Sequence, residues 1–151
     1  MKQTKTKLNF FKCTFPAKSV NEGFSRILSS GFLSQLDPTV EEICDIKTAV
    51  SEAVTNCTVH AYKDEKNDFK KIIYISCAYF SDGLFEIKIK DKGCGIHDIQ
   101  KAMQPLYSGG GEERAGMGFS IMQAFCDKVT VKSDVGKGTA VTMKKFIGKK
   151  S

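Results

Sequence analysis

Two short joints constrain this fold more than any other feature of the chain: Ser81-Asp82-Gly83 and the stretch Asp134-Val135-Gly136-Lys137-Gly138. Each lies between two runs rich in strand-forming residues. A joint this short turns the chain back into an antiparallel neighbour, whereas a parallel pair needs a crossover of about a dozen residues or more. Residues 72–80 are therefore expected to pair with 84–90, and residues 128–133 with 139–146. Upstream, KLNFFKCTF (residues 7–15) reads as an opening strand ended by Pro16. Ser19-Val20-Asn21-Glu22 reads as a capping box that starts a helix with Phe24, Ile27 and Leu28 on its inner face. Asp37-Pro38 supplies an N-cap and a first-turn proline for a second helix, with Glu41 and Glu42 in its first turn. Ile43, Ile46, Val50, Val54 and Cys57, spaced by three and four, carry that helix to about His60. A charged loop over 63–71, a short helix over 96–103, a loop over 104–115 and a helix over 118–126 complete the pattern. The order β-α-α-β-β-α-α-β-β predicts an α+β two-layer sandwich, with helices on one face of a mixed, mainly antiparallel sheet. It excludes a parallel fold of the dinucleotide-binding type.

The totals are those of an ordinary soluble globule: 151 residues, 41% apolar and 26% charged, which predicts a single domain over 1–151. No apolar run reaches the length of a membrane span and the lysine-dotted start lacks a signal-peptide core, so a cytoplasmic protein without membrane contact is expected. Six scattered cysteines and two histidines give no zinc spacing, and most of the cysteines read as small core residues. The net charge of +6 collects at lysines near the two ends. Those lysines fit solvated termini or an acidic protein partner, and direct contact with nucleic acid is not expected. Of 23 basic residues only Arg26 and Arg114 are arginine, the side chain suited to planar, forked hydrogen bonding.

Nine of the thirteen glycines fall between residues 93 and 138. Such crowding points to backbone that approaches a ligand closely or takes positive φ. Four motifs occupy this region and the helix before it. Glu52, Asn56 and His60 share one helical face, which is either a solvated polar stripe or a glutamate base beside an oxygen ligand for Mg²⁺. Asp91-Lys92-Gly93-Cys94-Gly95 is either a turn or a carboxylate presented to an adenine amino group. Arg114-Ala115-Gly116-Met117-Gly118 is either a loop capping a core helix or a phosphate-binding helix start with an arginine beside it. Gly136-Lys137-Gly138-Thr139 is, by spacing, a hairpin turn.

In this order the motifs resemble the gyrase/histidine-kinase/MutL-type ATP-binding superfamily. Ser34-Gln35-Leu36-Asp37-Pro38-Thr39 narrows the resemblance to the anti-sigma F factors of endospore-forming bacteria, a family of serine protein kinases; the likeness runs over about residues 19–145. The resemblance implies that Glu52 is the general base and that Arg114 stabilises the γ-phosphate. It implies that Asn56 holds Mg²⁺ on the phosphates of ATP or ADP and that Asp91 binds the adenine amino group. Gly93, Gly95 and Thr139 would shape the adenine side. Gly116 and Gly118 would cradle the phosphates, with Met117 between them, and Arg26 would contact protein partners. It further implies a homodimer that holds a sporulation sigma factor and phosphorylates an anti-anti-sigma protein on serine.

The chain departs from the family pattern in its lid, Tyr107-Ser108-Gly109-Gly110-Gly111-Glu112-Glu113, which is glycine-rich and about one residue short. Ala61 replaces a common glycine, and Cys57 and Cys94 inside two motifs predict a site sensitive to thiol oxidation. The alternative reading is a nucleotide-gated module that sequesters sigma factor with little catalysis. A histidine-kinase half is disfavoured, because no histidine precedes His60.

Overall fold

The computed structural model describes residues 5–104 and 111–148, and for residues 111–116 the course of the backbone only. Five strands, β1 (Lys7–Pro16), β2 (Ile72–Phe80), β3 (Leu84–Asp91), β4 (Lys128–Asp134) and β5 (Gly138–Phe146), form one sheet in the order β1-β2-β3-β5-β4. Every pairing is antiparallel, so the sandwich is as expected and the sheet carries no parallel pair. The helices are α1 (Asn21–Leu33), α2 (Val40–Thr55), α3 (Ile99–Ala102) and α4 (Gly111–Phe125). None of the described helices is long and apolar enough to cross a membrane.

The alternation of the strands decides which face the helices cover. Ile73, Ile75 and Cys77 of β2, Phe85, Ile87 and Ile89 of β3, and Val141 and Met143 of β5 are buried at every second position. They pack with Leu33, Ile46, Val50, Val54, Phe119 and Met122 into one cluster. Burial of each such side chain contributes roughly 1.5–3 kcal/mol.

The inner face of α1 differs from the expected one. Ile27 is 68% exposed and Phe24 42%, while Ser25 and Ser29 are fully buried. The serines pass the burial test because each hydroxyl donates to the carbonyl one turn back, Ser25 to Asn21 (2.7 Å) and Ser29 to Ser25 (2.8 Å). Small side chains there let α1 lie close to its neighbours. Nor does the Ser19 box form: α1 starts without a side-chain cap, and Asn21 Nδ2 donates to the Pro16 carbonyl instead.

The capping box is at α2. Asp37 takes left-handed φ (54°) at the end of a 3-10 turn, a conformation that aspartate tolerates, and Thr39 is the true cap. The Thr39 hydroxyl accepts from Glu42 N–H (3.1 Å), and Glu42 Oε1 accepts from Thr39 N–H (2.9 Å). Glu42 Oε2 also accepts from Gly148 N–H (2.9 Å), tying the end of the described chain to this helix. Thr39→Ala is expected to cost about 1 kcal/mol. By differential scanning calorimetry it should melt roughly 2–4 °C below the parent.

Candidate functional site

Beyond Thr55 the helix does not stop; it widens into a π-helical turn, Asn56–Ala61. Such turns re-aim side chains and are frequent at functional sites. Here the turn presents Asn56, Cys57 and His60 to a cavity between α2, α4 and the sheet, walled by Ile89, Ile96, Phe119 and Val141. Asp91 and Thr139 supply polar groups on the sheet side, and Lys63 lies at the rim. A mostly apolar pocket with a few convergent polar groups is the usual form of a small-molecule site.

Asp91 ends β3 opposite Thr139 of β5 and is 5% exposed. Its Oδ1 accepts from the N–H of Gly93 (2.9 Å) and of Thr139 (3.3 Å), and its Oδ2 from the Cys57 thiol (3.5 Å). Burial pushes the carboxyl above its ordinary range, and those three donors pull it back. Burial, and then the neighbouring Asp91, push the Cys57 thiol well above its usual range. Cys57 is thereby held as a hydrogen-bond donor to Asp91. The Cys94 thiol is half-buried and faces the carbonyls of His60 and Gly95.

The glycines around Asp91 knit backbones together. A Cβ on Gly93 would lie 2.1 Å from the Ala61 carbonyl oxygen, and one on Gly95 2.3 Å from that of Asp134. Between them Cys94 N–H donates to Ala61 O (2.7 Å) and Gly136 N–H to Cys94 O (2.7 Å). Loop 91–95 is thereby locked to the π turn on one side and to the β4–β5 hairpin on the other.

The second cluster lies where α4 crosses α2. The glycine at 118, costly inside a helix by roughly 1 kcal/mol relative to alanine, has a local reason. A Cβ there would lie 3.2 Å from Glu52 Oε2 and 3.4 Å from Asn56 Oδ1. Glu52 and Asn56 therefore converge on the same point of α4. Asn56 Nδ2 is buried with no hydrogen-bond partner among the described residues. Exchange of the amide's N and O, which are near-equivalent in shape, turns this orphan position into an unshared oxygen. That is the donor a hard cation such as Mg²⁺ takes, so the residues present fit the ion. Partial burial, and then Glu22, push Glu52 above the usual carboxylate range.

Glu22 was not legible as a site residue. From α1 it accepts the hydroxyls of Thr55 (3.3 Å) and Thr58 (3.5 Å), contacts spanning more than thirty residues that no local signal announces. Arg26, one turn further along α1, donates to Ser51 Oγ (2.9 Å), next to Glu52. The exposed Val20, Phe24 and Ile27 lie at the start and along the length of the same helix.

The start of α4 needs correction. It begins at Gly111 and not at 118, so the backbone N–H groups of Gly116 and Gly118 fall inside the helix instead of standing free at its end. Met117 is 54% exposed. The side chain of Arg114, and most of the lid over 107–113, lie outside the described residues.

Comparison with known proteins places the chain in a family. Residues 19–145 match the histidine kinase-like ATPase domain family. The chain is 51% identical over 142 residues to the anti-sigma F factor of Caldanaerobacter subterraneus subsp. tengcongensis, covering 93% of this chain and 96% of the relative. It is 46% identical over 138 residues to that of Clostridium acetobutylicum, covering 91% and 93%. Among solved structures, the RsbU and RsbW domains of Rv1364c from Mycobacterium tuberculosis superpose with a TM-score of 0.69 at 18% identity, over 95% of this chain and 34% of that one. The SiaB–SiaC complex from Pseudomonas aeruginosa gives 0.67 at 10% identity, over 91% and 89%. At these identities the superpositions establish the fold. A nucleotide-binding ATPase fold and two relatives matched along nearly their whole length lead to one conclusion: the chain belongs to the anti-sigma F factor family of histidine kinase-like ATPase domains.

Proposed function

We propose that this protein binds Mg–ATP, holds a sporulation sigma factor, and phosphorylates an anti-anti-sigma protein on serine. The observation that carries the reading is the convergence of Glu52 and the unpartnered Asn56 amide on Gly118, at the side of a pocket that also holds the buried Asp91. Asp91, held in place by its three donors, receives the adenine amino group, with Thr139, Gly93 and Gly95 forming the adenine side. Asn56 holds Mg²⁺, which when bound neutralises phosphate charge. Gly116, Met117 and Gly118 form the stretch of α4 alongside the phosphates. Arg114, one helical turn before Gly118, serves the γ-phosphate.

The transfer balances without any further reactant. The partner's serine oxygen forms a bond to the γ-phosphorus as the bond from that phosphorus to the β–γ bridging oxygen breaks. The serine proton passes to Glu52, and ADP departs. Arg26, with Phe24 and Ile27 exposed beside it, offers a mixed cationic and apolar surface to the protein partners. The reading includes a cytoplasmic homodimer.

The test is incubation with γ-labelled ATP, Mg²⁺ and the anti-anti-sigma protein. Label on a partner serine is the expected result. Nucleotide binding without label would overturn the kinase and leave a nucleotide-gated sequestering module.

A further inference from the structure

The helices cover one face of the sheet; the other is open, and strand register assembles on it a surface that the linear sequence scatters. Lys12 of β1, Lys88 and Lys90 of β3, and Lys128 and Lys132 of β4 all point outward and are exposed. They stand in three columns on alternate strands. On the strands between them the outward residues include small ones, Ser76 and Ala78 on β2 and Ala140 and Thr142 on β5, with Tyr74 opposite Lys90 on β2 and Lys144 opposite Glu86 on β5. With neighbouring strands about 4.8 Å apart, the low stretch over Ser76 and Ala78 and that over Ala140 and Thr142 are each roughly 10 Å wide between the lysine-bearing strands, the width of one peptide segment. Of these lysines none is in an ion pair among the described residues; the outward-facing pair on this face is Glu86 with Lys144 (3.7 Å).

We propose that this open face is a docking surface for an acidic segment of a partner protein, distinct from the nucleotide site on the opposite side of the sheet. Charge complementarity selects an acidic occupant and excludes a second copy laid face to face, which would oppose lysine to lysine. Three features favour protein over nucleic acid. The basic side chains of the columns are lysines, without arginine's forked contact to phosphate. Glu86 places a carboxylate within the face. Phe10, 59% exposed and flanked by Lys7 Nζ at 5.5 Å from its ring centroid, adds an apolar anchor that a phosphate backbone does not use.

The test is fluorescence anisotropy with a labelled glutamate-rich peptide containing spaced leucines, and with a DNA duplex of similar charge. The variant is Lys12→Glu/Lys88→Glu/Lys132→Glu, which strips one lysine from each column and leaves Lys90, the neighbour of Asp91, in place. The wild type should bind the peptide in a salt-sensitive manner and more tightly than the duplex. The variant should lose about tenfold or more, the sum of several exposed charge contacts. Its ADP affinity should match wild type, which shows that it is folded and separates this proposal from the nucleotide reading. If charge reversal leaves the peptide affinity unchanged, or if the wild type binds no peptide, the proposal fails. Tighter binding of the duplex overturns it in favour of nucleic acid.

Discussion

Glu52→Gln should keep nucleotide binding and lose phosphotransfer by about 10²–10⁴-fold, the range that a positioned general base supplies. Glutamine preserves the shape of the side chain that meets Gly118, so the α2–α4 contact survives. What disappears, on the proposed mechanism, is the acceptor for the serine proton. Calorimetric titration with ADP and single-turnover transfer from labelled ATP separate the two effects. Equal losses in both would make Glu52 a binding group and sink its role as base.

The same residue predicts a pH dependence. Partial burial and Glu22 raise the carboxyl of Glu52 above its ordinary range. On the proposed mechanism Glu52 acts only when ionised, so transfer should fall on acidification at a pH higher than an ordinary glutamate would give. The stability sign is opposite. A carboxyl raised in the folded state binds protons more tightly there than in the unfolded chain, so its contribution is present at low pH and is lost as pH rises through the folded value. Near neutrality the ionised Glu52 is thus a strain on the fold, and Glu52→Gln should melt at or above the wild-type temperature. Glu22→Gln should move the acid limb of the rate profile back toward the ordinary glutamate range.

How much of this was legible depended on whether the deciding interaction was local. The α2 stripe of Ile46, Val50, Val54 and Cys57 is buried as its spacing indicated, because helix periodicity and core burial are the same fact seen twice. Asp91 ends β3, as a carboxylate after an alternating strand and before spaced glycines indicated. On α1 the rule held for Leu28, which packs against the core, and failed for Ile27, because two serines that satisfy their own hydroxyls took the buried face. The cap of α2 moved two residues, from Asp37 to Thr39, because Asp37 takes left-handed φ ahead of Pro38 and only Thr39 is placed to accept from Glu42 N–H. The π turn at Asn56, Glu22 reaching Thr55 and Thr58, and Gly118 opposite Glu52 depend on contacts between distant segments, which a single sequence does not display.

Among the described glycines without positive φ the largest effect is expected at Gly93. An alanine Cβ there would sit 2.1 Å from the Ala61 oxygen and 2.5 Å from its carbonyl carbon, and both are backbone atoms that no rotamer change can remove. Either the end of β3 retreats, breaking Cys94 N–H to Ala61 O and loosening Gly93 N–H from Asp91, or the π turn shifts and carries Asn56 with it. Overpacking with loss of a buried hydrogen bond costs about 3–4 kcal/mol. That corresponds to a melting temperature lower by roughly 10 °C for a chain of this size. Nucleotide affinity should fall as well, since either adjustment displaces a group facing the pocket. Gly31 supplies the contrast. It lies in α1 with nothing within 4 Å of the position a Cβ would take and without positive φ, so Gly31→Ala should gain up to about 1 kcal/mol. Opposite signs for the two substitutions, read by calorimetry with and without ADP, would show that the glycines of loop 91–95 hold this site together by backbone contact. A Gly93→Ala protein that melts and binds ADP like wild type would refute that contact and the account of the pocket built on it.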